Sequence, residues 1–214
     1  MSSSPTITVF DDTCFLLHGL LSPPEQCSVF DYIQDLDRTP WSTLTRPMVP
    51  SPTTLTFASD LRTLPIPPSP TTPISSMIEL VHSYILGSPP LGLDLPHFVS
   101  ILSPPQPKSS TMSVIRYASP SGKFPPHIDH CPSLVYLLTL GCSAIFTVKT
   151  PSMPKTERVE LKSGDVIVFD ASTEAKVEHG VEGIVEGSCP KFMEERGEVL
   201  KSHRFGVQCR VRMV

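Results

Sequence analysis

Residues 203–213, HRFGVQCRVRM, decide how this chain folds. Phe205, Val207, Cys209 and Val211 alternate with Arg204, Gly206, Gln208, Arg210 and Arg212. Alternation over this length is the signature of a β-strand, because successive strand side chains point to opposite faces. One face is apolar and has to be covered. The other carries arginines, and two meanings are open for it. It is the wet face of an edge strand, or it supplies fixed guanidinium donors to an anionic ligand. Arginine is suited to the second task because its planar fork grips a carboxylate in a way that lysine does not.

Upstream, the same texture recurs. Short apolar runs occupy 111–117, 134–140, 144–148, 158–161, 165–170 and 175–181, and turn residues such as Gly141 and Ser163-Gly164 separate several of them. Many short strands at this spacing predict a β-sandwich or barrel. Before residue 96 the pattern differs. Residues 7–21 read as one or two strands. Ser22-Pro23-Pro24-Glu25 opens a helix with Val29, Phe30, Ile33 and Leu36 on one face. A second helix is predicted over 74–86, with Met77, Leu80, Val81 and Tyr84 on one side and Gly87, Pro89 and Pro90 ending it. Much of the first half is proline-rich, so 37–72 is expected to be turn and loop. SPTT at 51–54 and 69–72 is compositional bias rather than a repeat. The chain divides into 1–110, helices and a proline-rich lid packed on the core, and 111–214, the β core.

The chain has 214 residues, enough to bury a sizeable core. No apolar run reaches the ~18 residues of a membrane helix, so no membrane partner is expected. The N-terminal stretch lacks the basic-then-apolar order of a secretory leader. Six cysteines form no CxxC and no regular framework, which favours reduced thiols and a cytoplasmic or nuclear setting. The net charge of −4 argues against a large basic nucleic-acid footprint.

Chemistry concentrates in PPHIDHCP, residues 125–132. On a strand, His127 and Asp129 project together and His130 projects oppositely, so His127 and Asp129 are the candidate metal pair. A third ligand from a neighbouring strand is wanted, and His179 in VEHGV supplies it. Two histidines and one carboxylate form the facial triad of non-haem Fe(II) oxygenases, although zinc hydrolases use the same ligand types.

Taken together, Arg116-Tyr117, His127-x-Asp129, LTLGCSAIF (138–146), SGDVIVF (163–169), His179-Gly180 and Arg204-x5-Arg210 resemble the AlkB-like family of Fe(II)/2-oxoglutarate-dependent dioxygenases. The resemblance spans about 111–213. It implies a mostly β fold, a double-stranded β-helix (jelly roll) with flanking helices and a loop-rich N-terminal lid. It implies that His127, Asp129 and His179 hold Fe(II). Arg204 would pair with the distal carboxylate of 2-oxoglutarate, Arg210 with the carboxylate beside its keto group, and Tyr117 would hydrogen-bond this cosubstrate. With O2, 2-oxoglutarate would give succinate and CO2 while an N-methyl group on DNA or RNA is hydroxylated and leaves as formaldehyde. The chain departs from the family pattern at Ile115 and Gly206, where members often carry asparagine. It also has Cys131 where repair-type members carry an acidic residue, and it lacks Ser-Arg before His179.

Other residues carry weaker signals. Trp41, the single tryptophan, lies in the lid and is either a base-stacking platform or packing. Lys191, Arg196 and Lys201 suit phosphate contacts or a solvated surface among Glu194, Glu195 and Glu198. Cys131 is a candidate for oxidation or a passive thiol. His18, His82 and His97 have no evident partners. Two alternatives to nucleobase demethylation stand: the same chemistry on a protein or small molecule, and a non-catalytic metal-binding jelly roll.

Overall fold

The structure is a computed structural model that describes residues 5–35, 42–43, 59–65, 72–87, 95–102 and 109–212. In chain order these form β1 (Thr6–Asp11), β2 (Cys14–His18), α1 (Pro23–Asp35), β3 (Ser42–Thr43), β4 (Ser59–Pro65), α2 (Pro73–Leu86) and α3 (Pro96–Leu102). Then come β5 (Ser109–Ala118), β6 (Phe124–Ile128), β7 (Ser133–Gly141), β8 (Ala144–Lys149), β9 (Glu157–Leu161), β10 (Val166–Asp170), β11 (Glu178–Ile184), α4 (Lys191–Glu194) and β12 (His203–Arg212). A 3-10 turn at Glu198–Lys201 precedes β12.

The strands form two antiparallel sheets, one of eight strands ordered β1-β2-β10-β7-β12-β5-β4-β3 and one of four ordered β6-β11-β8-β9. Together they make a jelly roll. β12 is not an edge strand: it is hydrogen-bonded along its whole length to β5 on one side and β7 on the other. That removes the wet-edge meaning of its arginines. Its apolar residues Phe205, Val207, Cys209 and Val211 face outward and are buried under helices. Phe30 of α1 packs edge-on against Phe205 at 5.5 Å. His82 of α2 hydrogen-bonds the Tyr136 hydroxyl at 2.6 Å, and Phe98 of α3 packs against Phe15 at 5.0 Å. Each aromatic buried this way contributes on the order of 1.5–3 kcal/mol. β7 buries all nine of its residues, which explains its nearly continuous apolar run.

The helix starts follow local chemistry. At α1, Glu25 reaches back to the Ser22 backbone N–H at 2.7 Å. At α2, Thr72 and Ser75 form a reciprocal capping box with Pro73 in the first turn. Thus the second SPTT ends in a helix cap, while the first lies outside the described residues.

Several expectations change. The loop-rich segment 37–72 contains β3 and β4, and β4 joins the large sheet beside β5. β1 and β2 add to the other end of the same sheet, so both halves of the chain build it. The predicted run 175–181 is shifted to Glu178–Ile184. α3 was not expected, because seven residues (PHFVSIL) give too few turns for a periodic signal. Leu36, Trp41 and most of the proposed lid lie outside the described residues. Among the described residues no helix is long and apolar enough to cross a membrane. All six cysteines are free.

Candidate metal and anion site

His127 and His179 are direct cross-strand partners of β6 and β11, so their side chains leave the same face side by side. Their ring centroids are 4.4 Å apart. The approach depends on Gly180: a Cβ there would lie 2.8 Å from the Phe124 carbonyl oxygen and from the Pro126 nitrogen. Pro125 and Pro126 are tolerated because β6 is an edge strand. β6 ends at Ile128, so Asp129 lies just past the strand, yet its carboxylate still turns to the face of His127.

The three candidate ligand atoms lie within 4.8 Å of one another. His127 Nε2 is 3.7 Å from Asp129 Oδ1, and His179 Nε2 is 3.9 Å from Asp129 Oδ2. Both imidazoles are oriented the same way. His127 Nδ1 donates to the Pro125 carbonyl at 3.1 Å and His179 Nδ1 to the Val177 carbonyl at 3.3 Å. A carbonyl only accepts, so Nδ1 carries the hydrogen and Nε2 turns its lone pair toward the shared space. His179 is buried against Phe169 (4.3 Å) and Phe146 (6.0 Å, stacked). Burial first, and His127 beside it second, push its imidazole down to about 3, which keeps it neutral. Two neutral imidazoles and a carboxylate with converging lone pairs are a donor set for a divalent cation. His130 is exposed and outside the cluster.

The inner face of β12 supplies the positive charge. Arg210 donates to Asp129 Oδ2 at 2.6 Å. Arg204, six residues away and so ~20 Å along the strand, is completely buried. Its NH2 donates to Thr139 Oγ1 at 3.1 Å, and its guanidinium carbon lies 5.1 Å from the Tyr117 ring centroid. Its Nε and NH1 are buried without a hydrogen bond of good geometry, although the Tyr117 hydroxyl lies close enough to interact with the guanidinium. Burial pushes the Tyr117 hydroxyl up to about 12, with the Arg204 charge pulling the other way, so the phenol keeps its proton. A buried guanidinium with two donors short of a good hydrogen bond is a strong cue for an anionic partner, since unpaired buried charge is costly. Arg212, next on the same face, is exposed.

Sequence reasoning passed over Thr139 and the rings of Phe124, Phe146 and Phe169. Thr139 carried no signal of its own, because its link to Arg204 depends on the β7–β12 register. The three histidines without evident partners all have one: His18 bonds Thr8 at 3.0 Å, His82 bonds Tyr136, and His97 bonds Asp170 at 2.8 Å. The basic residues near the C-terminus are partly engaged. Arg196 pairs with Asp31 and Lys201 with Glu198. Cys131 is partly exposed, and its backbone N–H donates to the Ala171 carbonyl.

No protein-family model matches the chain, and no curated protein matches it in sequence. Solved structures do match in fold. OsALKBH1 superposes with a TM-score of 0.67 at 18% identity, covering 95% of this chain and 100% of that one. A Pseudomonas putida prolyl-4-hydroxylase gives 0.59 at 11% identity, with 94% and 93% covered. A Trichoplax adhaerens prolyl hydroxylase in complex with a hypoxia inducible factor oxygen degradation domain peptide fragment gives 0.59 at 11%, with 94% and 84% covered.

Proposed function

We infer that this chain is an AlkB-like Fe(II)/2-oxoglutarate-dependent dioxygenase that demethylates nucleobases in DNA or RNA. The observation that carries the reading is a pair of features linked through β12, which carries both Arg204 and the Arg210 that reaches Asp129. His127, Asp129 and His179 converge with both Nε2 lone pairs turned inward, and Arg204 is fully buried with two donors short of a good hydrogen bond. The first suits a divalent cation and the second suits a carboxylate, so the residues fit both Fe(II) and 2-oxoglutarate. The likeness in fold to OsALKBH1 supports the same reading.

His127, Asp129 and His179 would hold Fe(II), which supplies oxygen activation coupled to decarboxylation of 2-oxoglutarate. The remaining work belongs to the chain. Arg204 would pair with a carboxylate through Nε and NH1, while Thr139 holds its NH2. The Tyr117 hydroxyl, protonated throughout the neutral range, is available as a donor to the same ligand. Arg210 holds the Asp129 carboxylate in its facing orientation and is the nearest guanidinium for a second ligand carboxylate. Phe146 and Phe169 keep water from the back of His179. A methylated base would approach from the side of the metal ligands.

The test is succinate formation from 2-oxoglutarate with Fe(II), with and without methylated oligonucleotides. Stimulation by a methylated oligonucleotide, with formaldehyde released, supports the reading. A second reading, hydroxylation of a peptide, is favoured by the likeness to two prolyl hydroxylases. It gains if peptides stimulate turnover and oligonucleotides do not.

A further inference from the structure

We propose that Cys142 and Cys189 form a redox site away from the metal ligands, a thiol pair that closes to a disulfide when a peroxide oxidises it and reopens with excess thiol. The pair stands outside the site described above and does not depend on its function.

The fold brings the two residues together from separate turns. Cys142 lies between β7 and β8, and Cys189 between β11 and α4. Their sequence neighbours are bonded directly. The Ser143 N–H donates to Ser188 Oγ at 2.8 Å, and the Val185 N–H donates to the Ser143 carbonyl at 2.9 Å. Ser188 Oγ donates in turn to the Val185 carbonyl at 2.6 Å, and Gly187 takes a positive φ of 68°. The chain after β11 therefore doubles back and carries Cys189 to Cys142. The two thiols are in hydrogen-bond contact. Cys189 donates to the Cys142 sulfur, which lowers the Cys142 thiol below its ordinary value and raises that of Cys189. A lowered thiol supplies more thiolate, the form that reacts with an oxidant. Both residues are buried, but Cys189 keeps 7% exposure and the neighbouring Glu186 and Gly187 are exposed, so a small oxidant approaches from that turn. Cys14 and Cys209 differ, because burial raises both thiols and holds their protons.

The chemistry balances with hydrogen peroxide as oxidant. The Cys142 thiolate attacks a peroxide oxygen. An S–O bond forms and the O–O bond breaks, giving a sulfenic acid, while the departing hydroxide takes up the proton that Cys142 released. The Cys189 sulfur then attacks the Cys142 sulfur. The S–S bond forms and the sulfenic oxygen leaves as water with the Cys189 proton. The two thiols lose two electrons between them, and the peroxide is reduced to two waters.

The experiment treats the reduced, folded protein with hydrogen peroxide, alkylates the remaining thiols and maps the unreduced digest by mass spectrometry. A peptide pair joined through Cys142 and Cys189 should form about tenfold or more faster than any change at Cys14 or Cys209, and dithiothreitol should restore both thiols. In urea the preference for this pair should vanish, because the fold creates it. Cys189→Ser, checked by thermal melting, should leave a Cys142 sulfenic acid that dimedone traps, in place of the disulfide. The proposal is overturned if Cys142 and Cys189 are still alkylated after Cys27 and Cys131 have oxidised. A disulfide from either residue to a different cysteine, or equal rates for the pair in folded and urea-unfolded protein, also overturns it.

Discussion

Arg210 donates to Asp129 Oδ2 at 2.6 Å, joining the central strand of the large sheet to the residue just past the edge strand of the small one. The pair bridges the two sheets. It also turns the carboxylate toward His127 and His179. Groups that orient a metal ligand typically matter about 10- to 100-fold in metal affinity. Arg210→Leu should therefore weaken Mn(II) binding by about that factor, and Arg210→Lys should fall between, having charge without the fork. Calorimetric titration with Mn(II) decides it. Wild-type affinity in Arg210→Leu would show that Asp129 needs no such support.

The triad itself gives a sharper contrast. Asp129→Ala should abolish most metal binding, because it removes the only carboxylate in the cluster. His130→Ala should leave it near wild type, since His130 is exposed and outside the cluster. If His130→Ala strips the metal while His127→Ala does not, the proposed ligand set is wrong.

The two ends of β12 should separate in the same way. Arg204→Leu should cost 2-oxoglutarate binding about 2–5 kcal/mol, the usual loss when a buried carboxylate is deprived of its charged partner. Arg212→Leu removes an exposed guanidinium and should change binding little. Equal losses, measured with Mn(II) bound, would count against Arg204 as the anchor.

How much of this was legible in the residues depended on where the signal was local. β12 and β10 could be read because alternation or a bounded apolar run marks them. The lateral position of β12 could not, because an amphipathic strand looks the same at an edge or in the middle. The histidine pairing was half legible: i and i+2 gave His127 with Asp129, but only the β6–β11 register puts His179 opposite His127. The partners of His18, His82 and His97 were not legible at all. Those with Asp165, Tyr136 and Asp170 lie 54 or more positions away in sequence. β4 was hidden by the proline-rich composition around it, although its one proline, Pro65, is its last residue.

Acid should weaken the fold through His82. Burial alone holds its imidazole below the usual 6.5. As pH falls through about 6.5 the unfolded chain takes up a proton while the folded chain does not, so the unfolded state binds more protons and stability drops toward the folded-state pKa. One such group contributes a slope of up to about 1.4 kcal/mol per pH unit. His82→Gln keeps a partner for the Tyr136 hydroxyl but cannot titrate. Urea unfolding at pH 7 and at pH 5.5 should show a smaller acid-side loss in the variant, whatever its stability at pH 7. An unchanged difference would remove His82 as a source of acid sensitivity.

The substrate prediction follows from charge and access. The chain carries a net charge of −4, and of the basic residues near the C-terminus Arg196 and Lys201 are paired with Asp31 and Glu198. Arg204 and Arg210 face inward, toward Thr139 and Asp129. A chain of net negative charge has little overall attraction to phosphates with which to hold a duplex open. A base in a duplex must be unpaired and unstacked before a recessed site reaches it, and a single-stranded base avoids most of that cost. Methylated single-stranded or looped nucleic acid should thus be demethylated faster than the same sequence in a duplex. Binding should be weak and should weaken further with salt, because what attraction exists is to phosphate. Mass spectrometry of matched methylated DNA and RNA, single-stranded and duplex, at two salt concentrations measures both effects. Faster turnover of duplex would show that the chain opens base pairs by contacts other than charge. Turnover that responds to a peptide or metabolite and to no oligonucleotide would move the same site to the hydroxylase reading.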